Sequence, residues 1–271
     1  MAHILSIVSS KGGAGKTTVA LNLAVALAEE GDNTLLIDVD PLGAIGFSLA
    51  QSDTEWRGLA ECMMDKLSID EVIMPTRLPA LSLLPRGRLD PIDVGIYENM
   101  LHSSTTLCEV IASVENKFRY IIIDTPSGLG MGTRAALSVS NFVLLPLQAE
   151  SLALRSISQT LRVVQHVKEH ENPKLELLGI LATMVQLKKD VSFNIMKTVW
   201  GSLSGVLENY LPRADVFSVA SEKGLPVAFL PGQYSPEAAR FQLLVTEIKG
   251  IIQSLGGTTG ETDERPQRAL I

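Results

Sequence analysis

Short apolar runs alternate with longer stretches of helical periodicity along most of this chain. Residues 4–8 read as a strand, and 16–30 follow as a helix in which Val19, Leu23, Ala26 and Leu27 recur three or four positions apart. Strands are predicted at 35–38, 81–85, 120–124, 141–146 and 177–184. Helices are predicted at 56–65, 69–74, 92–115, 132–139, 152–170, 191–210 and 236–255. The strand runs are apolar throughout rather than alternating, as strands covered on both faces must be. Strands separated by helices of this length imply an α/β fold: a doubly wound, mostly parallel sheet with helices on both faces. Residues 1–255 are expected to form one domain. Residues 256–271, rich in Gly, Thr and charge, are expected to be a disordered tail.

In such folds ligands sit beyond the carboxyl ends of the strands. Three polar segments fall there: residues 9–18, 38–40 and 124–127. The first reads Ser-Lys-Gly-Gly-Ala-Gly-Lys-Thr-Thr over residues 10–18, between a strand and a helix. A common phosphate-binding loop reads G-x-x-x-x-G-K-[ST], and Ser10 stands where its first Gly would be. Gly12, Gly13, Ala14 and Gly15 let the backbone turn its N–H groups on a phosphate, and the following helix aims its positive end at the same place. Lys16 reaches the β- and γ-phosphates, and Thr17, followed by Thr18, sets its hydroxyl on Mg²⁺. Lys11 is an additional cation that the same nucleotide does not require. A lysine there has the reach to meet a phosphate held by a second subunit. Asp124 ends an apolar strand and is placed to hold Mg²⁺ through water.

Composition narrows the setting. The chain has 271 residues, 46% hydrophobic and 20% charged. No apolar run reaches the ~18 residues of a membrane span. From the start, Met-Ala-His leading directly into a strand, neither a basic secretory leader nor a DNA-reading domain before the loop is expected. Cys62 and Cys108 are too few for a disulfide framework and read as reduced thiols of a cytoplasmic protein. His166 and His170 lie one helical turn apart and read as a solvated face rather than a zinc site. The net charge of −7 argues against a generally basic nucleic-acid binder. Its distribution changes that picture: residues 184–255 carry seven bases against six acids, whereas residues 1–183 carry a net −7.

The segment K-G-G-A-G-K-T-T resembles the deviant Walker A box of the ParA/MinD family of ATPases. Leu35-Leu36-Ile37-Asp38-Val39-Asp40-Pro41 is similar to the family's switch I, and Ile121-Ile122-Ile123-Asp124-Thr125-Pro126 to its Walker B and switch II. Residues 146–150 with Ala153-Leu154 resemble the ParA branch, and Pro212-Arg213 with residues 221–226 resemble the nucleotide-side C-terminal region. The resemblance implies ATP and Mg²⁺ as cofactors, and slow, partner-stimulated hydrolysis by an ATP-bound homodimer. It implies that Lys11 contacts the other subunit's phosphates, that Asp40 orients the attacking water, and that Asp38 supports Mg²⁺ and Lys16. Pro212 and Arg213 would adjoin the nucleotide. The family often has Gln after the Asp-Pro of switch I; here Leu42 follows, and it cannot hydrogen-bond a phosphate or water.

Within the family two uses compete. In the ParA use the loaded dimer binds DNA of any sequence through phosphate contacts, and a cargo-associated partner stimulates hydrolysis. Lys188, Lys189, Lys197, Arg213, Lys223 and Arg240 are the candidate DNA contacts, and such a protein would associate with the nucleoid. In the MinD-like alternative the ATPase acts on a membrane or protein scaffold. The C-terminal Glu-Arg-Pro-Gln-Arg-Ala-Leu-Ile, with Pro266 and no aromatic residue, lacks the amphipathic helix that membrane use requires.

Overall fold

The computed structural model describes residues 2–49, 56–103, 105–150, 152–186, 190–232 and 235–256. Among these, eight strands form one sheet in the order β3-β4-β2-β5-β1-β6-β7-β8. The strands are β1 (His3–Ile7), β2 (Thr34–Asp38), β3 (Met74–Pro75), β4 (Leu81–Leu84), β5 (Tyr120–Asp124), β6 (Phe142–Gln148), β7 (Glu176–Val185) and β8 (Val206–Pro212). All neighbours pair in parallel except β3, which runs antiparallel to β4 at the edge. The doubly wound parallel sheet expected from the sequence is therefore present.

Successive residues of the central strands serve opposite faces. Ile122 packs with α1 (Lys16–Glu29) and α11 (Pro236–Gly256) on one side. Ile121 and Ile123 pack on the other with α3 (Leu59–Met64), α5 (Val94–His102), α6 (Thr105–Val114) and α7 (Met131–Val139). Every residue of β5 is buried, which is why it reads as an unbroken apolar run. A third apolar cluster joins β6 to α8 (Ala153–His170) and α9 (Asp190–Ser202). Smaller helices, α2 (Ala44–Leu49), α4 (Ile69–Val72) and α10 (Asp215–Glu222), sit at the strand ends.

The chain first winds outward from β1 to β2 and β4, then returns to insert β5 between β2 and β1, and finally lays β6 on the other flank of β1. The switch point lies at the carboxyl end of β1, where the Gly-rich loop leaves the sheet. Register brings the other polar ends level with it: Asp38 pairs with Asp124, and Asp124 with Ile7.

Two expectations are corrected. The helix expected over 191–210 ends at Ser202, and Val206–Pro212 is the edge strand β8. Val206, Leu207, Tyr210 and Leu211 recur at helix-like spacing, but Leu203-Ser204-Gly205 breaks the helix first. An edge strand covered mainly by α11 has no full alternation to reveal it. The helix expected over 92–115 is divided between α5 and α6, with Asp90 capping a short 3₁₀ turn (Pro91–Asp93) before them. Lys188, Lys189 and the tail from residue 257 onward lie outside the described residues.

Candidate active site

The phosphate loop is held from both sides. Gly15, with φ 88°, is the N-cap of α1, a left-handed geometry that a residue bearing a Cβ resists. Behind the loop, the Thr183 hydroxyl on β7 donates to the Ala14 carbonyl at 3.0 Å. Gly12, Gly13 and Lys11 are exposed, Ala14 is buried, and Thr17 and Thr18 are half-buried. The open amides and the start of α1 thus face the same space, as an anion site requires.

Lys16 is buried, and its Nζ donates to Ser127 Oγ at 2.9 Å. Burial lowers its pKa, while Asp124 and Asp40 pull it back up. Lys11 points the other way. Its ammonium donates to Gln148 Oε1, on the last residue of β6, at 3.1 Å and pairs with the Glu150 carboxylate just beyond it. The two lysines of one loop are therefore separated: one faces the interior of the site, the other the outer surface.

Three carboxylates converge beneath the loop. Asp38 is wholly buried, and its oxygens accept the backbone N–H groups of Asp40 and Ile45, each at 3.0 Å. Burial and the neighbouring Asp124 push its pKa well above the carboxylate range, against these two hydrogen bonds. Asp40 accepts the Leu42 N–H at 2.9 Å and thereby caps its own turn. Asp124 is also wholly buried; among the described residues no donor meets strict hydrogen-bonding geometry at either oxygen, and the Thr17 hydroxyl and the Thr125 N–H lie near enough to favour its charged form. Burial pushes its pKa up to about 7, with the Thr17 hydroxyl and the Lys16 ammonium pulling it down. Two carboxylate oxygens that no strict hydrogen bond occupies, beside a threonine hydroxyl, are a donor set for a hard cation. Mg²⁺ is typically held by one or two carboxylates, its own waters and substrate phosphates.

Alongside the loop, a cleft of ≈ 210 Å³ is lined by Gly15, Thr18, Met184, Pro212, Arg213 and Phe217. Met184 holds φ 54°, an uncommon conformation for a side-chain-bearing residue, at the cleft wall. Apolar walls next to a phosphate cradle suit a planar base.

The structure thus gathers Lys16, Thr17, Asp38, Asp40 and Asp124 at one place and sets Pro212 and Arg213 beside them. Ser127, Gln148 and Glu150, from segments the sequence had marked without giving them individual roles, and Thr183, from none of these, join the site. Each meets the loop across more than a hundred residues of chain, so no local pattern announces the contact. Of the candidate DNA contacts within the described residues, Lys197, Arg213 and Lys223 are exposed. Arg240 is half-buried and committed elsewhere: its guanidinium lies 4.3 Å from the Tyr210 ring centroid and donates to the Tyr210 carbonyl at 3.3 Å.

Residues 2–177 match the family model of the AAA domain. The chromosome partitioning protein ParA of Myxococcus xanthus is 34% identical over 228 residues, covering 83% of this chain and 80% of the relative. The chain belongs to the ParA/MinD family of P-loop ATPases. Solved structures agree on the fold. The cell division ATPase MinD of Pyrococcus furiosus superposes with a TM-score of 0.73 at 26% identity, over 93% of this chain and 100% of that one. Cobyrinic acid a,c-diamide synthase from Mycobacterium smegmatis, with bound ADP and magnesium, gives 0.71 at 30% identity, over 88% and 99%. A partition protein, a cell-division protein and an amide synthase all resemble this ParA/MinD-family chain. Its fold alone therefore does not choose among their tasks.

Proposed function

We propose that this partition or positioning ATPase closes as an ATP-bound homodimer, binds DNA without sequence preference in that state, and is reset by a cargo-associated partner that stimulates hydrolysis. The observation that carries the reading is the buried Asp124 carboxylate, which no strict hydrogen bond occupies, beside Lys16 and Thr17 at the mouth of the phosphate loop. ATP would set its phosphates on the loop amides, Thr18 and Lys16, with its base in the cleft beside Pro212 and Arg213. Thr17 and Asp124 would hold Mg²⁺, which neutralises phosphate charge. Asp38 would act at one remove, by fixing the backbone of Asp40 and Ile45. Asp40 would orient the attacking water.

Two features support closure of two copies over the nucleotide. Lys11 is directed outward from its own site, where it has the reach to meet a partner's phosphate. Exposed apolar side chains follow the same ends of the strands: Leu42, Phe47, Ile92, Ile96, Met131 and Leu152 are all exposed, Ile92 by 89% and Phe47 by 77%. All six follow the carboxyl ends of β2, β4, β5 or β6. Exposed apolar groups gathered around one site mark a surface that becomes covered. Lys11→Ala should retain nucleotide binding and lose ATP-dependent dimerisation, as read by size-exclusion chromatography with and without ATP. An unchanged dimer would remove Lys11 from this role.

The DNA step rests on family membership and on Lys197, Arg213 and Lys223, with Lys188 and Lys189 outside the described residues. Binding to random-sequence duplex with ATP, ADP or no nucleotide, repeated across salt, tests it. Binding with ATP alone, weakening steeply with salt, supports the reading. An ATP-dependent dimer that ignores DNA refutes this step and favours a membrane or protein scaffold as the surface.

A further inference from the structure

Arg86 stands apart from every motif named so far, and it lies on the switch I turn. Strand β4 pairs with β2 through Leu84 and Ile37, so the residues beyond Leu84 leave the sheet beside those beyond Ile37. The backbone there is pinned. Pro85 and Arg86 carbonyls accept the N–H groups of Leu59 and Ala60 at 2.9 and 2.7 Å. The buried Glu61 carboxylate accepts those of Gly58 and Arg88 at 2.7 and 3.1 Å. A side chain rooted on this frame has a fixed origin.

The Arg86 guanidinium lies over Gly43. A Cβ placed on Gly43 would fall 3.1 Å from both Nε and Nη2. Arg86 Nη1 donates to the Leu89 carbonyl at 3.3 Å, whereas Nε is buried without a hydrogen-bond partner among the described residues. The turn beneath is the one that carries Asp40. Gly43 N–H donates to the Asp40 carbonyl at 2.8 Å, and Gly43 takes φ 67°, so a side chain there would meet strain as well as the guanidinium. Leu42, in the middle of the turn, is 72% exposed and ties to it through its backbone N–H on Asp40. The turn is thus braced from outside.

A neutral or apolar residue would cover a glycine without leaving a buried N–H unpaired, which is destabilising. A cation is nevertheless present, in the electrostatic neighbourhood of Asp38 and Asp40 around the buried Tyr97. We infer that Arg86 is a positioning residue for hydrolysis: through Gly43 it holds the Asp40–Gly43 turn so that Asp40 can orient the attacking water. This rests on the hydrolytic role proposed for Asp40. The Leu42 side chain cannot supply this hold, and Arg86 supplies it from the neighbouring strand.

The test compares Mg²⁺-dependent ATP hydrolysis by the purified full chain with its Arg86→Ala, Arg86→Lys and Gly43→Ala forms. KM is measured with kcat, and thermal unfolding is recorded for each. Misplacing a water-orienting group by about 1 Å costs up to ~10²-fold in rate. Arg86→Ala should therefore lower kcat at least ~tenfold and leave KM within ~twofold. Arg86→Lys should recover little, because an ammonium on a flexible stem does not cover Gly43. Gly43→Ala should lower kcat in the same way. Adding Arg86→Ala to Asp40→Ala should cost nothing further. Full turnover by Arg86→Ala would overturn the inference, as would a KM rise that accounts for the whole loss. If Arg86→Ala does not fold, full turnover by Arg86→Lys overturns the inference, and lost turnover with unchanged KM supports it. Absence of hydrolysis by the unmodified chain, or normal turnover by Asp40→Ala, would instead refute the reading on which it rests.

Discussion

The ends of β2 and β5 place two aspartates at the same level of the sheet, Asp38 and Asp124, in direct register. Both are fully buried, and burial raises the pKa of each. Their surroundings differ. The Asp38 oxygens are occupied by backbone N–H groups of the turn and helix that follow it. Among the described residues the Asp124 oxygens accept no hydrogen bond of strict geometry, with the Thr17 hydroxyl and the Thr125 N–H only nearby. One carboxylate shapes the turn that follows β2; the other keeps its oxygens more open, at a cost in stability. A buried acceptor without a partner persists where a ligand completes it, so burial alone does not mark a functional carboxylate. What its lone pairs do distinguishes strut from ligand.

The largest test of this contrast is Asp124→Asn. Loss of the charge proposed to hold Mg²⁺ beside the phosphates should lower kcat by on the order of 10²-fold or more. The same change should raise the thermal midpoint of the nucleotide-free chain by roughly a few degrees at pH 8, because it removes a charge that burial destabilises more than its neighbours stabilise it. A destabilised variant with normal turnover would reverse the assignment of the two aspartates.

Asp38→Ala should act chiefly on stability. It orphans two buried N–H groups, at about 1–3 kcal/mol each, and denaturant unfolding should read that loss directly. Hydrolysis would fall as the Asp40 turn loosens, with Asp38→Asn intermediate because its amide keeps a single acceptor oxygen. Unchanged stability in Asp38→Ala would mean that the turn is held by other contacts.

A smaller effect follows from pH. The folded-state pKa of Asp124 lies near 7, above its ordinary 3.8. Between these values the folded chain holds a proton that the unfolded chain has released. Stability of the Mg²⁺-free protein should therefore fall as pH rises from about 4 to about 7, then level off. Urea titrations across this range should show the decline, and Asp124→Asn should flatten it in part, since Asp38 shifts in the same direction. The smallest expected effect is on the metal: Mg²⁺ competes with that proton, so its affinity for the nucleotide-loaded site should increase as pH approaches 7 and change little above it. Affinity that declines over this interval would exclude Asp124 as the titrating ligand.

Much of this site is legible in the chain. The Gly-rich loop is local chemistry: its glycines, Lys16 and Thr17 act within nine residues, and residue order alone brings them together. The buried strands are legible too, because doubly covered β-structure demands unbroken apolar runs such as Tyr120–Asp124. Their succession with helices dictates the winding that carries Asp38 and Asp124 to the loop. The edge strand β8 was hidden, since half-covered β-structure with apolar residues four apart imitates a helix. The different duties of Asp38 and Asp124, the parting of Lys11 from Lys16, the Ser127 contact and the Arg86 brace depend on groups that meet only when distant strands pair. Local periodicity records which face of an element is apolar; it holds no record of which polar atom will find a partner across the sheet. The sequence by itself determined the fold class, the phosphate loop and its family. The tertiary structure decided which buried carboxylate is satisfied, because hydrogen-bond completion is a property of packed neighbours.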